Sequence, residues 1–222
     1  MMTEITTSAF AAALRHVCDL IIASEPALTE LDTRVGDGDH GTGMKDGFTE
    51  LKDVLDNSTF TTFHELTRTT GMALVKSMGG ASGVIFGTLF IGGHDALVAP
   101  DGRLLEALDA DGLRRYFRLS ANAISQRGRT KPNDRTMLDA LLYAVDAMEQ
   151  SDTTDVTELL KCAWEGACRG AEATSQMRPR LGRAKNFRDQ ALGWPDPGAV
   201  STSIIFRGLY ESIAGVRAES ES

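Results

Sequence analysis

Apolar residues recur every three or four positions along most of the chain, which is the spacing of one buried face of an α-helix. The pattern predicts eight helices, at about residues 6–23, 41–57, 61–78, 82–97, 113–124, 137–145, 156–167 and 199–214, the fifth starting as early as Leu104. The fold class is therefore all-α, an antiparallel up-and-down bundle of about eight helices. We expect a single domain over residues 1–222, with a disordered tail from about residue 217.

The connections between these helices are of two kinds. Sequential helices joined by short loops pack antiparallel, so the first, third, fifth and seventh connections share one end of the bundle. Those four connections contain the glycine-rich or unusually charged segments, at residues 32–42, 79–83, 127–134 and 183–198. The other three, around Ser58, Pro100 and Asp152, are ordinary polar turns. The sequence therefore predicts a single functional end.

Composition and charge narrow the class of protein. Hydrophobic residues make up 42% and charged residues 24%, as in soluble globular proteins, and the net charge of −8 opposes nonspecific nucleic-acid binding. Three cysteines without a CxxC pair indicate free thiols and a reducing, cytoplasmic compartment. The N-terminus has no signal-peptide pattern, and the longest apolar run, residues 84–93, is too short to cross a bilayer. We expect no membrane and no nucleic-acid partner.

Three aspartates within eight residues are the strongest chemical signal. Asp32, Asp37 and Asp39 are interspersed with glycines, which let the backbone turn tightly enough for the carboxylates to converge. Carboxylates this close repel one another unless a cation compensates, and Mg²⁺ prefers oxygen ligands while keeping positions open for phosphate. The alternative is a solvated acidic turn or a helix N-cap.

Three familiar motifs do not fit this segment. The string Gly36-x-Gly38-x-x-Gly41 matches the dinucleotide fingerprint, but no buried strand precedes it. An EF-hand loop starting at Asp37 would have Gly41 and Phe48 at its fifth and twelfth positions, where Asx and Glu are needed. The chain contains no Gly-Lys followed by Ser or Thr, which excludes a Walker loop.

Phosphate-binding features surround the aspartates in the predicted loops. Two helices are expected to begin at His40–Gly43 and Gly79–Gly83, where free amides and the helix dipole suit an anion, although close helix packing would also explain the second segment. His40 is best explained as hydrogen-bonded to loop backbone or to phosphate. Asp196 should cap the last helix, with Pro197 at its first turn. Five basic residues in the seventh connection form either a solvated face or a lid over polyphosphate: Arg178, Arg180, Arg183, Lys185 and Arg188.

Together these segments resemble the nucleotide-binding L subunit of dihydroxyacetone kinase, or the equivalent domain of single-chain dihydroxyacetone kinases. The matching stretches lie in the family's order and are Leu31-Asp32 with 36–42, 79–83, Asp134 with 136–140, 182–184 and 196–199. The resemblance implies an antiparallel barrel of eight helices that covers nearly the whole chain. Three positions depart from the common family pattern: Gly43 replaces Asn, Asn133 replaces Gly and Arg135 replaces Lys.

By this resemblance, Asp32, Asp37 and Asp39 bind two Mg²⁺ ions that bridge the phosphates of ADP or ATP. The remaining nucleotide contacts implied by the family are His40, Gly41, Thr42, Gly43, Ala81, Ser82, Gly128, Met137, Arg183, Asp196, Pro197 and Gly198. No side chain of this chain is implied as a nucleophile or base, because the site works by positioning and charge neutralisation.

The family implies a kinase subunit that is active only with a partner. The acceptor, dihydroxyacetone or another small hydroxyketone such as a tetrulose, is held on a separate K subunit, and a phosphotransferase-system protein is a further candidate partner as phosphoryl donor. Two alternatives remain open from the sequence. One is the nucleotide domain of a fatty-acid-kinase-like system, and the other is a non-catalytic ADP-binding regulatory protein.

Overall fold

A computed structural model describes residues 1–181, 185 and 188–220, without the side chains of 188, 189 and 216–220. This part of the chain contains nine α-helices: α1 Thr7–Ala23, α2 Glu25–Val35, α3 His40–Asp56, α4 Phe63–Ser77, α5 Gly80–Ile91, α6 Ala110–Gly128, α7 Met137–Gln150, α8 Val156–Ala173 and α9 Pro197–Ser220. Short 3₁₀ helices occupy His94–Leu97, Thr174–Gln176 and Arg188–Ala191. Two short strands, β1 Glu4–Thr6 and β2 Ala107–Asp109, complete the described elements.

Eight of the helices form a closed ring. Apart from α2, each helix packs against the next in sequence, and α9 returns to pack against α1. One apolar core fills the ring and receives buried side chains from all eight helices. Aromatic contacts join distant segments within it, with ring centroids 5.2 Å apart for Phe10 and Phe63 and 4.9 Å apart for Phe117 and Phe206. The predicted all-α arrangement of eight main helices is confirmed.

Helix α2 was not predicted, because residues 24–40 were interpreted as one connection. Its buried face consists of Leu28, Asp32 and Val35, so a carboxylate interrupts the apolar spacing that marks a helix. Pro26 in its first turn was the available start signal. Outside the ring, α2 packs mainly against α3, with fewer contacts to α9. This position brings Asp32 to the start of α3.

The fourth predicted helix and the region after it also differ from expectation. Helix α5 ends at Ile91, and a Cβ on Gly93 would lie 2.4 Å from Cδ2 of Tyr116, so the close approach of α6 requires glycine at this break. A 3₁₀ helix then covers His94–Leu97. Helix α6 begins only at Ala110, because residues 107–109 pair antiparallel with residues 4–6. Three-residue strands are too short to leave an alternating pattern in the sequence.

The C-terminal helix begins where its predicted cap places it and ends beyond its predicted limit. It starts at Pro197, directly after Asp196 and two residues before the apolar spacing that begins at Ala199, and continues to Ser220, through residues that were expected in the tail. Residues 221 and 222 lie outside the described residues, so the disorder of the tail stays a prediction. Among the described helices, none is by itself long and apolar enough to cross a membrane, and the pair α1 and α2, which together reach the length, is bent by 57°.

Candidate functional site

A cavity of about 910 Å³ opens at one end of the helical ring. Its walls come from the connections α2–α3, α4–α5, α6–α7 and α8–α9, together with neighbouring turns of α5 and α6. These are the four odd connections of the sequence analysis, and no residue of the other three connections lines the cavity. The prediction that these four connections share one end of the bundle is confirmed, and the functional role of that end stays a prediction.

The aspartate cluster forms one wall of this cavity. Asp32 lies on the last turns of α2 and is buried, whereas Asp37 and Asp39 lie exposed in the turn before α3. One carboxylate oxygen from each of the three lies within 4.8 Å of the other two. The His40 backbone N–H donates to Oδ2 of Asp32 at 3.1 Å, which fixes that carboxylate at the start of α3. Three hard oxygen donors in this space fit a divalent cation such as Mg²⁺.

Glycines make this convergence possible. The Gly36 N–H donates to the Asp32 carbonyl at 2.6 Å and ends α2, and a Cβ on Gly36 would stand 2.2 Å from Oδ1 of Asp32. Gly38 has φ of 79°, a left-handed conformation that favours glycine. A Cβ on Gly41 would lie 2.1 Å from Oγ1 of Thr29, so Gly41 allows the close approach of α3 to α2.

His40 links the aspartate cluster to α9. A ring nitrogen, Nε2, lies 2.8 Å from Oγ of the buried Ser201, and the backbone carbonyl of Pro197 accepts a hydrogen bond from the ring. Burial lowers the pKa of His40, partly opposed by the charge of Asp32 and by the Pro197 bond. The imidazole is therefore held neutral and fixed in orientation, in agreement with the interpretation of His40 as a hydrogen-bonded loop histidine.

Two helix N-termini face the cavity. Thr42 and Gly43 of α3 line it, as do Gly80, Ala81 and Ser82 of α5. Gly79 and Gly80 have φ of 64° and 55°, so the tight entry into α5 requires glycine. The first amides of an α-helix have no acceptor within the helix, and the helix dipole adds positive potential there. Both termini can therefore bind the oxygens of a phosphate.

The α6–α7 connection has an unusual backbone. Three non-glycine residues, Arg129, Asn133 and Arg135, have φ between 49° and 68°. Two buried carboxylates hold this conformation. Asp139 accepts from the backbone N–H groups of Asn133 and Thr136 at 2.5 and 2.8 Å, and Asp134 accepts from that of Lys131 at 2.8 Å. This rigid loop places Gly128 and Met137 in the cavity wall.

Asp196 caps α9, as the sequence predicts. Its Oδ2 accepts from the Ala199 N–H at 2.9 Å. Burial raises the pKa of Asp196 to about 6, and the Ala199 bond and the charge of Arg135 oppose the shift. The charges of Asp139 and Asp32 raise it further, and Asp196 lines the same cavity as the three clustered aspartates.

The cavity and its residues agree with a family match. The model of the DAK2 domain matches residues 34–211, most of the chain. The chain belongs to the DAK2 domain family. This confirms the resemblance on which the sequence-based expectations of fold and nucleotide site depend.

Relatives of this DAK2 domain include the Escherichia coli K12 protein named "PEP-dependent dihydroxyacetone kinase, ADP-binding subunit DhaL", 35% identical over 193 residues, covering 86% of this chain and 90% of that protein. A Listeria innocua protein, "PEP-dependent dihydroxyacetone kinase 1, ADP-binding subunit DhaL", is 30% identical over 185 residues, covering 83% of this chain and 86% of the relative. Among solved structures, the dihydroxyacetone kinase of C. freundii in complex with AMP-PNP and Mg²⁺ matches with a TM-score of 0.71 and 25% identity. The match covers 96% of this chain and 35% of that longer chain.

Most of the predicted site residues line the cavity of this DAK2 domain: Asp32, Asp37, Asp39, His40, Thr42, Gly43, Ala81, Ser82, Gly128, Met137, Asp196, Pro197 and Gly198. Gly41 does not line it, because it packs against α2. Arg183 lies outside the described residues. The cavity also includes Arg127, Thr130 and Arg135, which were not predicted as site residues.

The predicted basic cluster is described only in part. Arg180 is exposed, and its Nε lies 4.0 Å from Oδ1 of Asp134, a long ion pair to the α6–α7 connection. Lys185 is exposed, and the side chain of Arg188 lies outside the description. Nearby, the guanidinium of Arg34 lies 4.3 Å from the ring centroid of Trp194, which connects α2 to the α8–α9 connection. A lid over polyphosphate stays a prediction.

Proposed function

We propose that this DAK2 domain is the nucleotide-binding subunit of a dihydroxyacetone-type kinase. It holds ADP or ATP together with Mg²⁺, and a phosphoryl group passes to a small hydroxyketone on a separate substrate-binding subunit. The observation that carries the proposal is the cavity itself, in which three convergent carboxylates share one space with two helix N-termini. Carboxylates bind cations, and helix N-termini bind anions. A cavity that contains both kinds of group fits a polyphosphate with its metal ions better than it fits a metal ion alone or an anion alone.

Asp32, Asp37 and Asp39 are the proposed metal ligands, for two Mg²⁺ ions by family resemblance. When held there, Mg²⁺ would supply positive charge that offsets the negative charge of the phosphates. The role of the chain is to keep the carboxylates in place. Gly36 leaves room for Oδ1 of Asp32, and the backbone N–H of His40 donates a hydrogen bond to Oδ2.

The proposed nucleotide contacts follow from the cavity wall and from the family. The first turns of α3 and α5 bind phosphate oxygens through their amides. Gly128, Met137 and the segment 196–198 surround the rest of the nucleotide, and Arg183 is carried over from the resemblance. His40 serves as a neutral, fixed hydrogen-bonding group, because Ser201 and the Pro197 backbone orient its ring. None of these side chains is proposed as a nucleophile or general base.

The names of the relatives support a multi-subunit enzyme. The E. coli and Listeria proteins are called subunits of PEP-dependent kinases, and a Lactococcus lactis relative is called PTS-dependent. We propose a substrate-binding K subunit as the partner of this chain, and a phosphotransferase-system protein as the phosphoryl donor.

Purified chain, tested alone and with the K subunit of a dihydroxyacetone kinase, provides the experiment. The chain alone should bind Mg-ADP and give no dihydroxyacetone phosphate, whereas the mixture supplied with a phosphoryl donor should form it. Turnover by the chain alone would contradict the proposed division of labour. Tight ADP binding without turnover in any mixture would instead favour a regulatory ADP-binding protein.

A further inference from the structure

Arg135 is the largest fully buried side chain of the described residues, with 1% of its surface exposed, and it lines the cavity. It stands immediately before Thr136, the N-cap of α7, in the rigid α6–α7 connection. Its own φ is 62°, so the backbone there is strained as well. A charged side chain is rarely kept in such a place without an anionic or hydrogen-bonding partner.

Within the described part of the chain, only one nitrogen of the guanidinium has hydrogen-bond partners. Nη2 donates to the carbonyl oxygens of Ala191 at 3.2 Å and Trp194 at 3.0 Å, so Arg135 holds the end of the α8–α9 connection against α7. Nε and Nη1 are buried and have no hydrogen-bond partner among the residues that the structure describes. Buried N–H groups are nearly always paired, by protein atoms or by a bound molecule. The pair Nε and Nη1 is one edge of the guanidinium fork, which matches two oxygens of a phosphate or carboxylate.

The charges around Arg135 favour an anion that comes from outside the chain. The negative charge of Asp196 favours the charged form of Arg135. However, Oδ2 of Asp196 already accepts a hydrogen bond from the Ala199 N–H as the cap of α9. Arg135, Asp196 and the three clustered aspartates line the same cavity and therefore belong to one site. A polyphosphate that is bound to cations at the cluster carries oxygens able to accept from the unpaired edge.

We propose that Arg135 is a phosphate-binding residue of the nucleotide site, donating from Nε and Nη1 to phosphate oxygens of the bound nucleotide while Nη2 keeps the α8–α9 connection in place. This inference rests on the proposed function, because it takes the ligand to be a nucleotide. Within that function, Arg135 is a positively charged side chain that contacts the nucleotide phosphates directly, in addition to the metal ions.

The Nε–H resonance of Arg135 provides a direct test. It is identified in a ¹⁵N-arginine spectrum by its loss in Arg135→Lys, and is then followed during titration with Mg-ADP, Mg-pyrophosphate and adenosine. Mg-ADP and Mg-pyrophosphate should both shift it, and adenosine should not. If adenosine shifts the resonance and Mg-pyrophosphate does not, the proposal is overturned, because the contact is then to the nucleoside. An unchanged resonance when calorimetry shows Mg-ADP bound would also overturn it.

Affinity measurements on variants separate phosphate binding from loop anchoring. Arg135→Met should weaken Mg-ADP and Mg-pyrophosphate about tenfold or more. Arg135→Lys keeps a cation and should recover much of that loss. Arg114→Met is the matched control, since Arg114 also donates to backbone carbonyls, that of Met148 near the end of α7 and those of Ser151 and Thr153 just after it, but away from the cavity. It should lower the melting temperature without changing either affinity.

The outcomes distinguish this inference from the function on which it rests. Equal Mg-pyrophosphate affinity in the wild-type protein, Arg135→Met and Arg135→Lys, with Mg-ADP still bound, would remove Arg135 from the phosphate site and leave the proposed function standing. Absence of Mg-ADP binding by the wild-type protein would overturn both.

Discussion

The carboxyl group of Asp196 should make the ligand-free protein less stable at neutral pH than in mild acid. Burial raises its pKa from 3.8 to about 6. Because the folded-state pKa is the higher one, the contribution of this group to stability is fully present below about pH 4 and is lost as the pH rises through 6. A shift of about two pKa units corresponds to about 3 kcal/mol at pH 8.

Asp196→Asn tests this magnitude. An asparagine keeps an oxygen acceptor for the Ala199 N–H, so the cap of α9 is retained while the charge is removed. Relative to the wild-type protein, the variant should gain about 0.6 kcal/mol at pH 4 and about 3 kcal/mol at pH 8, from the two pKa values in the linkage relation. Urea unfolding followed by circular dichroism at several pH values, without Mg²⁺ or nucleotide, measures the difference.

Asp109→Asn is the matched control for this experiment. Asp109 is the exposed N-cap of α6 and accepts from the Gly112 N–H at 2.7 Å, so the same chemical change is made at a helix start without burial. It should show no comparable gain at pH 8. A gain for Asp196→Asn that does not vary with pH, or a loss of stability at pH 8, would refute the argument that burial makes this charge unfavourable.

Two further predictions concern other parts of the molecule. Gly36→Ala should leave the melting temperature nearly unchanged but weaken Mg²⁺-dependent ADP binding at least about tenfold, because the new Cβ would displace the nearby Asp32 carboxylate. Gly215→Ala is the control, since a Cβ there meets nothing within 4 Å. Equal ADP affinities for the two variants would contradict the steric argument. His94→Gln should stabilise the protein at pH 4.5 relative to the wild-type protein, and much less at pH 8. Burial beside His64 and Arg68 lowers the pKa of His94 to about 4, so stability is lost as pH falls below 6.5, and an equal effect in urea unfolding at both pH values would argue against this cause.

The parts of the fold that depend on long apolar periodicity were predictable from the sequence. Eight helices, their order and the common end of the four informative connections all follow from spacing that extends over three or more turns. Elements that depend on tertiary contacts were not. Helix α2 has only three buried residues, and one of them is Asp32. Because this carboxylate interrupts the apolar spacing, the pattern did not predict the helix that carries it.

The site shows the same division between local and tertiary information. Some features can be recognised from the sequence because they depend on residues that are close together along the chain. These are the three aspartates, the glycine-rich turns and the cap at Asp196. Ser201 and Arg135 are not among them, since their importance comes from partners far away in sequence, His40 for one and the Ala191 and Trp194 carbonyls for the other. Gly41 shows the opposite case: the motif predicted a nucleotide contact, which stays a prediction, whereas its close packing against α2 comes from tertiary structure.

The central claim is that the aspartate cluster binds ADP through divalent cations. Calorimetric titration of ADP into the wild-type protein and Asp37→Asn, each with Mg²⁺ and with chelator, tests it most directly. The wild-type protein should bind ADP tightly only with Mg²⁺, and Asp37→Asn should lose at least about tenfold in affinity while its circular dichroism spectrum stays helical. Equal ADP affinity in the two proteins in Mg²⁺, or equal affinity of the wild-type protein with and without Mg²⁺, would contradict the account.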